Sequence, residues 1–146
     1  VEHKADLNAK DDDGWTVLMY AAVNGHLDIV KYLVEEKHMD VNAKDDIGNT
    51  SLHLAVNRGY SDVADILTKK LNELCVKWWK EKGFRGLTVL ELKTDSATEE
   101  VLHRRMTEGI QQLKDMSIRS RIGCFFKVRR LKKYGYKQKP TSHTNT

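Results

Sequence analysis

Apolar residues in this chain fall in short bursts at helical spacing, separated by clusters of Asp, Asn and Gly. Leu18, Ala21 and Ala22 form an apolar stripe on one short helix, where alanines let a neighbouring helix come close. Thr16 suits the N-cap, because its hydroxyl satisfies an amide that the first turn leaves unbonded. Gly25 stops the helix as a residue able to take positive φ. A second helix follows, with Ile29, Val30, Tyr32 and Leu33 facing inward and Asp28 near its positive end. Asn8 to Gly14 is turn chemistry. Farther along, Val63, Ile66, Leu67, Leu71, Leu74, Cys75 and Trp78 recur at helical spacing, which predicts a helix to about Lys82, closed by Gly83. Trp78 and Trp79 cannot share a helix face, so one fills a seam and the other is a candidate partner contact. Ser96-Ala-Thr-Glu99 has the capping-box pattern and opens an amphipathic helix over 97–117, with Leu102, Met106, Ile110, Leu113 and Met116 as its stripe.

The bursts are copies of one another. Val1 to Gly14 recurs as Val34 to Gly48, at an offset of 33 that becomes 34 from Asp6/Asp40 onward, so the second copy holds one extra residue. Gly14-Trp-Thr-Val-Leu-Met-Tyr-Ala-Ala then pairs with Gly48-Asn-Thr-Ser-Leu-His-Leu-Ala-Val, and Gly25 to Leu33 pairs with Gly59 to Leu67. Gly86-Leu-Thr-Val-Leu echoes Gly14-Trp-Thr-Val-Leu at an offset of 72 and reads as a decayed third copy; a short strand over Leu87 to Leu92 is the rival reading. A helix pair this small cannot bury its apolar face alone, so the copies must stack.

These residues resemble the ankyrin repeat. Thr50, Leu52 and His53 keep the core of its first-helix motif, and Thr16 and Leu18 keep part of it. Val17 and Ser51 replace the family's proline, Met19 its first histidine, and Lys37 to Met39 its Gly-Ala. The resemblance implies an all-α ankyrin-repeat solenoid with a C-terminal helical cap and a basic tail. It also implies binding through the turn tips and the exposed face of the first helices. The variable positions there are Asp12, Asp13, Trp15, Val23, Asn24, Asp46, Ile47, Asn49, Asn57 and Arg58, with Trp15, Ile47 and Arg58 as anchors; the rival role for Trp15 is packing over the next turn. His26 and His53 take structural roles, bonding backbone between loops and helices. Asn8 and Asn42 sit where ankyrin domains accept hydroxylation, although a turn-forming role is favoured.

Charge divides the chain. Residues 1–70 carry 8 Lys/Arg against 13 Asp/Glu, and residues 71–146 carry 17 against 8. The expected organisation is therefore ankyrin repeats over 1–70, a degenerate repeat and helical cap over 71–117, and a basic, partly disordered tail over 118–146. No acidic residue follows Ser117, and Arg119, Arg121, Lys127, Arg129, Arg130, Lys132 and Lys133 interleave with aromatics. Such a segment suits nucleic-acid phosphates or an anionic membrane surface. A solvated charge run without a role is the competing reading.

Catalysis has little to stand on. The six histidines form no metal-ligand spacing with Cys75 and Cys124, and no Gly-rich phosphate loop or nucleophile elbow occurs. Asp11-Asp12-Asp13 lacks the spaced ligands of a calcium loop. The expectation is a non-enzyme with no cofactor, metal or small-molecule substrate, whose partner is another protein met by an acidic face; a nucleic-acid or membrane adaptor acting through 119–139 is the alternative. Two cysteines imply no disulfide framework, hence reduced thiols and a cytoplasmic or nuclear setting. The opening Val1-Glu2-His3-Lys4 leads us to expect a fragment of a longer protein, an enzyme, receptor or toxin among the options. Missing upstream repeats would leave the faces around Leu18 and Val30 partly bare.

Overall fold

The computed structural model describes residues 7–83 and 86–116. Helix α1 (Val17–Val23) and helix α2 (Leu27–Lys31) form the first pair, α3 (Ser51–Asn57) and α4 (Ser61–Glu73) the second, and α5 (Ser96–Asp115) follows two 3₁₀ turns at Trp78–Lys80 and Val89–Glu91. Pair stacks on pair: α1 lies against α3, α2 against α4, α4 against α5, and α3 against the Val89 turn. The core runs unbroken through the stack, from Leu18 and Val30 through Leu52 and Leu67 to Val89 and Leu102.

Local chemistry explains the repetition. At each first-helix position a threonine caps, and the residue three places on returns a bond. The Met19 amide donates to Thr16 Oγ1 at 3.3 Å, and the His53 amide donates to Thr50 Oγ1 at 3.4 Å. In the third copy the Thr88 amide donates to Glu91 Oε2 at 2.7 Å. That copy has shrunk to the single turn Val89–Glu91, and Lys82 and Thr88 form an isolated antiparallel bridge, so the short-strand reading of Leu87 to Leu92 does not hold. At the far ends, Gly25 (φ 68) and Gly59 (φ 75) supply the left-handed residue. The amides of His26 and Tyr60 then reach back to Ala21 and Ala55 carbonyls, each at 3.0 Å.

Several expectations are corrected. The long helix ends at Glu73 rather than near Lys82. Cys75 takes φ 59, and the Val76 amide caps the Leu71 carbonyl at 2.9 Å, closing α4 as glycines close α1 and α3. Cys75 is disulfide-bonded rather than a free thiol; Cys124 lies outside the described residues. Helix α5 is capped by Asp95, whose carboxylate accepts from Thr98 Oγ1, so Ser96 is already inside the helix. Ile29 and Tyr32 are 47% and 50% exposed rather than inward; Leu18 and Val30 are themselves fully buried, while the faces around them are partly bare at Val17, Tyr20, Ile29 and Tyr32. The residue inserted in the second copy is absorbed by a π-helical turn, Tyr32–Glu36, and by His38 at φ 50.

The second pair is fastened to α5 by polar bonds as well as packing. Asp65 accepts from Arg105 Nε at 2.8 Å and from Arg104 Nη2 at 3.0 Å. Burial works to raise the Asp65 carboxyl, but the two guanidiniums outweigh it and leave its pKa lowered. Trp78 Nε1 donates to Asn72 Oδ1 at 2.9 Å, and Asn72 Nδ2 donates to the Arg105 carbonyl at 2.8 Å. Trp79 meets Trp78 edge to face, with centroids 5.5 Å apart. A Cβ at Gly109 would lie 3.0 Å from Trp79 Cζ3 and 2.6 Å from Asn72 Oδ1, so α5 needs a glycine there. Both tryptophans therefore belong to the seam, in a turn rather than on a continuing helix.

Candidate partner-binding surface

The tips between helix pairs are built to one plan. In the first, Asp11 Oδ1 accepts from the Asp13 amide at 3.0 Å and the Trp15 amide at 2.8 Å. In the second, Asp45 Oδ1 accepts from Ile47 at 3.0 Å and Asn49 at 2.8 Å. Gly14 (φ 81) and Gly48 (φ 89) complete the turns, a conformation that costs glycine little. The third tip keeps the backbone bonds without the carboxylate: the Gly86 amide donates to the Gly83 carbonyl at 2.9 Å and the Gly83 amide to Leu87 at 2.8 Å.

The tips are also locked to one another. The Asp46 amide donates to the Asp13 carbonyl at 3.1 Å. Lys10 Nζ donates to the Lys44 carbonyl at 2.6 Å, and Lys44 Nζ pairs with Glu81 Oε2 at 2.6 Å. These two lysines are committed inward, so the exposed Asp12, Asp13 and Asp46 set the charge of the rim. The identical Ala-Lys-Asp-Asp in both copies (Ala9 and Ala43 onward) was the signal for this ladder, and spacing of apolar residues alone could not find it.

Asp12, Asp13, Asn24, Asp46, Asn57 and Arg58 are exposed. Ile47 is 58% exposed, which is unusual for its size. Trp15 is half-buried and does two things. Its ring lies 4.9 Å from that of Tyr20, and it packs with Val23 over Met19, Ala43 and Leu54, two of which belong to the next copy. Asn24 donates to the Tyr20 carbonyl at 2.8 Å. Asn49 departs from the expected set. At 8% exposure it is buried, and a Cβ at Gly83 would lie 2.3 Å from its Oδ1. It spaces the second tip from the third. Arg119, Arg121, Lys127, Arg129, Arg130, Lys132 and Lys133 lie outside the described residues.

Tyr20 is a surface residue that sequence pattern missed. Its hydroxyl donates to Asp11 Oδ2, which holds the Asp11 carboxyl below its ordinary pKa and pushes the phenol up. Leu54 occupies the same place in the second copy, and Asp45 Oδ2, which is buried, has no hydrogen-bond partner among the described residues. The first tip thus carries a Trp–Tyr–Asp cluster that the second lacks.

The histidines divide. His53 is buried; its Nδ1 accepts from the Thr50 amide at 3.3 Å, and Nε2 donates to the Glu81 carbonyl at 3.1 Å, bridging the second helix pair to the third tip. His26 is exposed and makes no side-chain cap bond, contrary to the backbone-bonding role expected. Asn8 Oδ1 accepts from the Asp40 amide at 3.3 Å, a bond across to the next copy rather than one within its own turn. Gly83→Ala would drive a methyl to 2.6 Å from His53 Cδ2 as well as into Asn49. We expect it to cost about 1–3 kcal/mol, read as a lower urea midpoint with an unchanged slope.

The chain matches the family model for ankyrin repeats, in three copies, over residues 1–77. Among curated proteins it is similar to the NAD-capped RNA hydrolase NUDT12 of Homo sapiens, Pongo abelii and Macaca fascicularis. Each is 57% identical over 30 residues, which is 20% of this chain and 6% of the relative. Among solved structures it is similar to the ankyrin repeat domain of Bcl-3, a unique member of the IkappaB protein family, with a TM-score of 0.60 and 25% identity over 68% of this chain and 42% of that one.

Proposed function

Because the chain belongs to the ankyrin-repeat family, whose repeats generally mediate protein–protein interaction, we propose that it is a non-catalytic binding module. Its partner is another protein, held on the rim formed by Asp12, Asp13, Trp15, Val23, Asn24, Asp46, Ile47, Asn57 and Arg58. The supporting observation is the row of exposed side chains that the locked tips present, with Trp15 and Ile47 as apolar anchors among carboxylates. Interfaces concentrate their energy in a few such aromatic and arginine residues. A rim with acid at its tips favours a partner bearing basic or polar groups. The small share of the hydrolases that this chain matches lends no support to their chemistry here.

The test is a quantitative pulldown with the full chain, followed by titration of the protein captured. Trp15→Ala and Arg58→Ala should each weaken binding by about 30-fold, equivalent to ~2 kcal/mol. Capture unaffected by both substitutions would remove the proposed rim. The second reading is an adaptor for nucleic acid or anionic membrane acting through residues 119–139. What favours it is the nine Lys/Arg there and the absence of any acid after Ser117. A tail-driven complex should weaken steeply with added salt and vanish when 119–139 is deleted, whereas a rim-driven one should survive the deletion.

A further inference from the structure

Several carboxylates toward the end of the stack have a cation of their own. Asp65 is held by Arg104 and Arg105, Glu108 by Arg105 at 3.0 Å, Glu81 by Lys44 and Glu73 by Lys70. The first two tips differ. Asp12, Asp13 and Asp46 stand exposed on adjacent turns, which the Asp46 amide and the Asp13 carbonyl join at 3.1 Å. Lys10 and Lys44, the cations next to these acids in sequence, are turned into the neighbouring loops. Beside the carboxylates Ile47 is 58% exposed and Trp15 half-buried. A surface that sets apolar side chains among like charges is complemented by a segment bearing the opposite charge together with aromatic bulk.

The chain leaves the stack on the side that bears the tips. Asp65 bonds Arg105, and seven residues farther along both helices Gln112 Nε2 donates to the Asn72 carbonyl at 3.2 Å, so α5 runs with α4 and ends beside its end. From there the chain passes through Trp78 to Glu81, which grips Lys44 at the foot of the second tip. Cys75, just past the end of α4 and 3.8 Å from Gln112 Nε2, is disulfide-bonded, and the only other cysteine is Cys124. That bond ties position 124 to the tip side. The next fifteen residues, 125–139, lie outside the described residues. They contain seven Lys/Arg and no acid, with Phe125, Phe126, Tyr134 and Tyr136 among them. Extended, they span up to about 50 Å at ~3.3 Å per residue, whereas neighbouring helices in a stack lie about 10 Å apart. Both tips are within reach.

From this charge match and this tether we propose that residues 125–139 fold back over the first and second tips and occupy the rim from within the molecule. Their Lys and Arg lie against Asp12, Asp13 and Asp46, and their aromatic rings against Ile47 and Trp15. This occupancy rests on the rim being a binding surface and adds its regulation. An outside protein must displace the tail, and it competes best when it offers the same alternation of cations and rings. Linkage lets few contacts suffice. A tethered segment meets its site at an effective concentration of about millimolar order, so an affinity too weak to matter between separate molecules keeps the rim covered.

The test uses the full chain in two ways. Carbodiimide coupling joins a lysine amine directly to a carboxylate that it touches. Within single molecules it should link Lys127, Lys132 or Lys133 to Asp12, Asp13 or Asp46, as read by mass spectrometry of the peptides. Raising salt from about 0.1 to about 1 M should cut that yield at least about fivefold, because the screening length shrinks from about 10 to about 3 Å. In the second, a fluorescent peptide of residues 125–139 is titrated against the native chain and against one combining Lys127→Gln, Arg129→Gln, Arg130→Gln, Lys132→Gln and Lys133→Gln. Those positions follow α5 in sequence, so no side chain of the described core changes. The peptide should bind the neutralised chain at least about tenfold more tightly, the gain expected when a tethered competitor is removed. Adding Asp13→Asn and Asp46→Asn to that chain should erase the gain. Cross-links that run instead to Glu99 or Glu100, cross-links found only between molecules, or equal peptide affinity for the two chains would each overturn the inference. Failure of the rim as a site for an outside protein looks different: capture would ignore Trp15→Ala and Arg58→Ala while the tail cross-links stayed.

Discussion

Trp78→Ala should lower the unfolding free energy by about 3–5 kcal/mol, the range for deleting a large buried aromatic. Trp78 is the bulkiest of the fully buried side chains, at 2% exposure. It lies where the second helix pair, the third tip and α5 meet. Its removal opens a cavity and also strips the donor from Asn72 Oδ1, in a residue only 8% exposed. Asn72 holds the Arg105 carbonyl with its other end, so the loss travels to α5. Domains of this size are stable by about 5–15 kcal/mol, which makes the substitution a threat to the whole end of the stack. Trp78→Phe separates the contributions, keeping most of the volume without the indole N–H, and should cost less than half as much. Guanidinium unfolding followed by far-ultraviolet circular dichroism measures both. A loss for Trp78→Ala no larger than that for Trp78→Phe would show that the cavity is not what matters.

His53→Ala should cost about 2–4 kcal/mol at neutral pH and should also flatten the pH dependence of stability. The ring is buried between the Thr50 cap and the Glu81 carbonyl, and its loss leaves that carbonyl and the Thr50 amide without their partner. Burial is the main cause that pushes the His53 pKa below its ordinary 6.5, with the hydrogen bond to Glu81 working in the other direction. The folded molecule therefore holds the ring neutral, while the unfolded chain takes up its proton first as pH falls. More protons bound in the unfolded state means that stability rises with pH. The His53 contribution is whole above about pH 6.5 and drains away as pH drops from there toward the depressed folded value. Urea midpoints between pH 7.5 and 5 should fall for the native chain and fall less for His53→Ala. Parallel lines for the two proteins would show that His53 does not carry this dependence.

Much of this was legible in the residues. Threonine followed three places on by Met19, His53 or Glu91 marks a helix start, and Gly25 and Gly59 mark two stops, because caps are local hydrogen-bond chemistry within a turn. Stacking was legible as well, since a helix pair with Leu18, Ala21 and Val30 has no other way to hide its apolar side. Helical spacing misled at Leu74 to Trp78. The apolar period continues there, but Cys75 can adopt positive φ without being a glycine, and composition does not reveal that. Spacing also put Ile29 and Tyr32 inward, because a period of 3.6 finds an apolar stripe without telling which neighbour is present to cover it.

By itself, then, the chain determined the repeat, the need of its copies to stack, and the starts and stops of the first helix in each clear copy, all of which depend on residues within one 34-residue period. Only the tertiary structure decided which copies of a position are covered, that Asn49 turns inward and Tyr20 outward, and that Lys10 and Lys44 bind the neighbouring loop instead of facing a partner. The physical reason is range. Capping and periodicity act through the next few peptide units, whereas burial and the ladder of lysines are set by what the adjacent copy brings from 34 to 37 residues away.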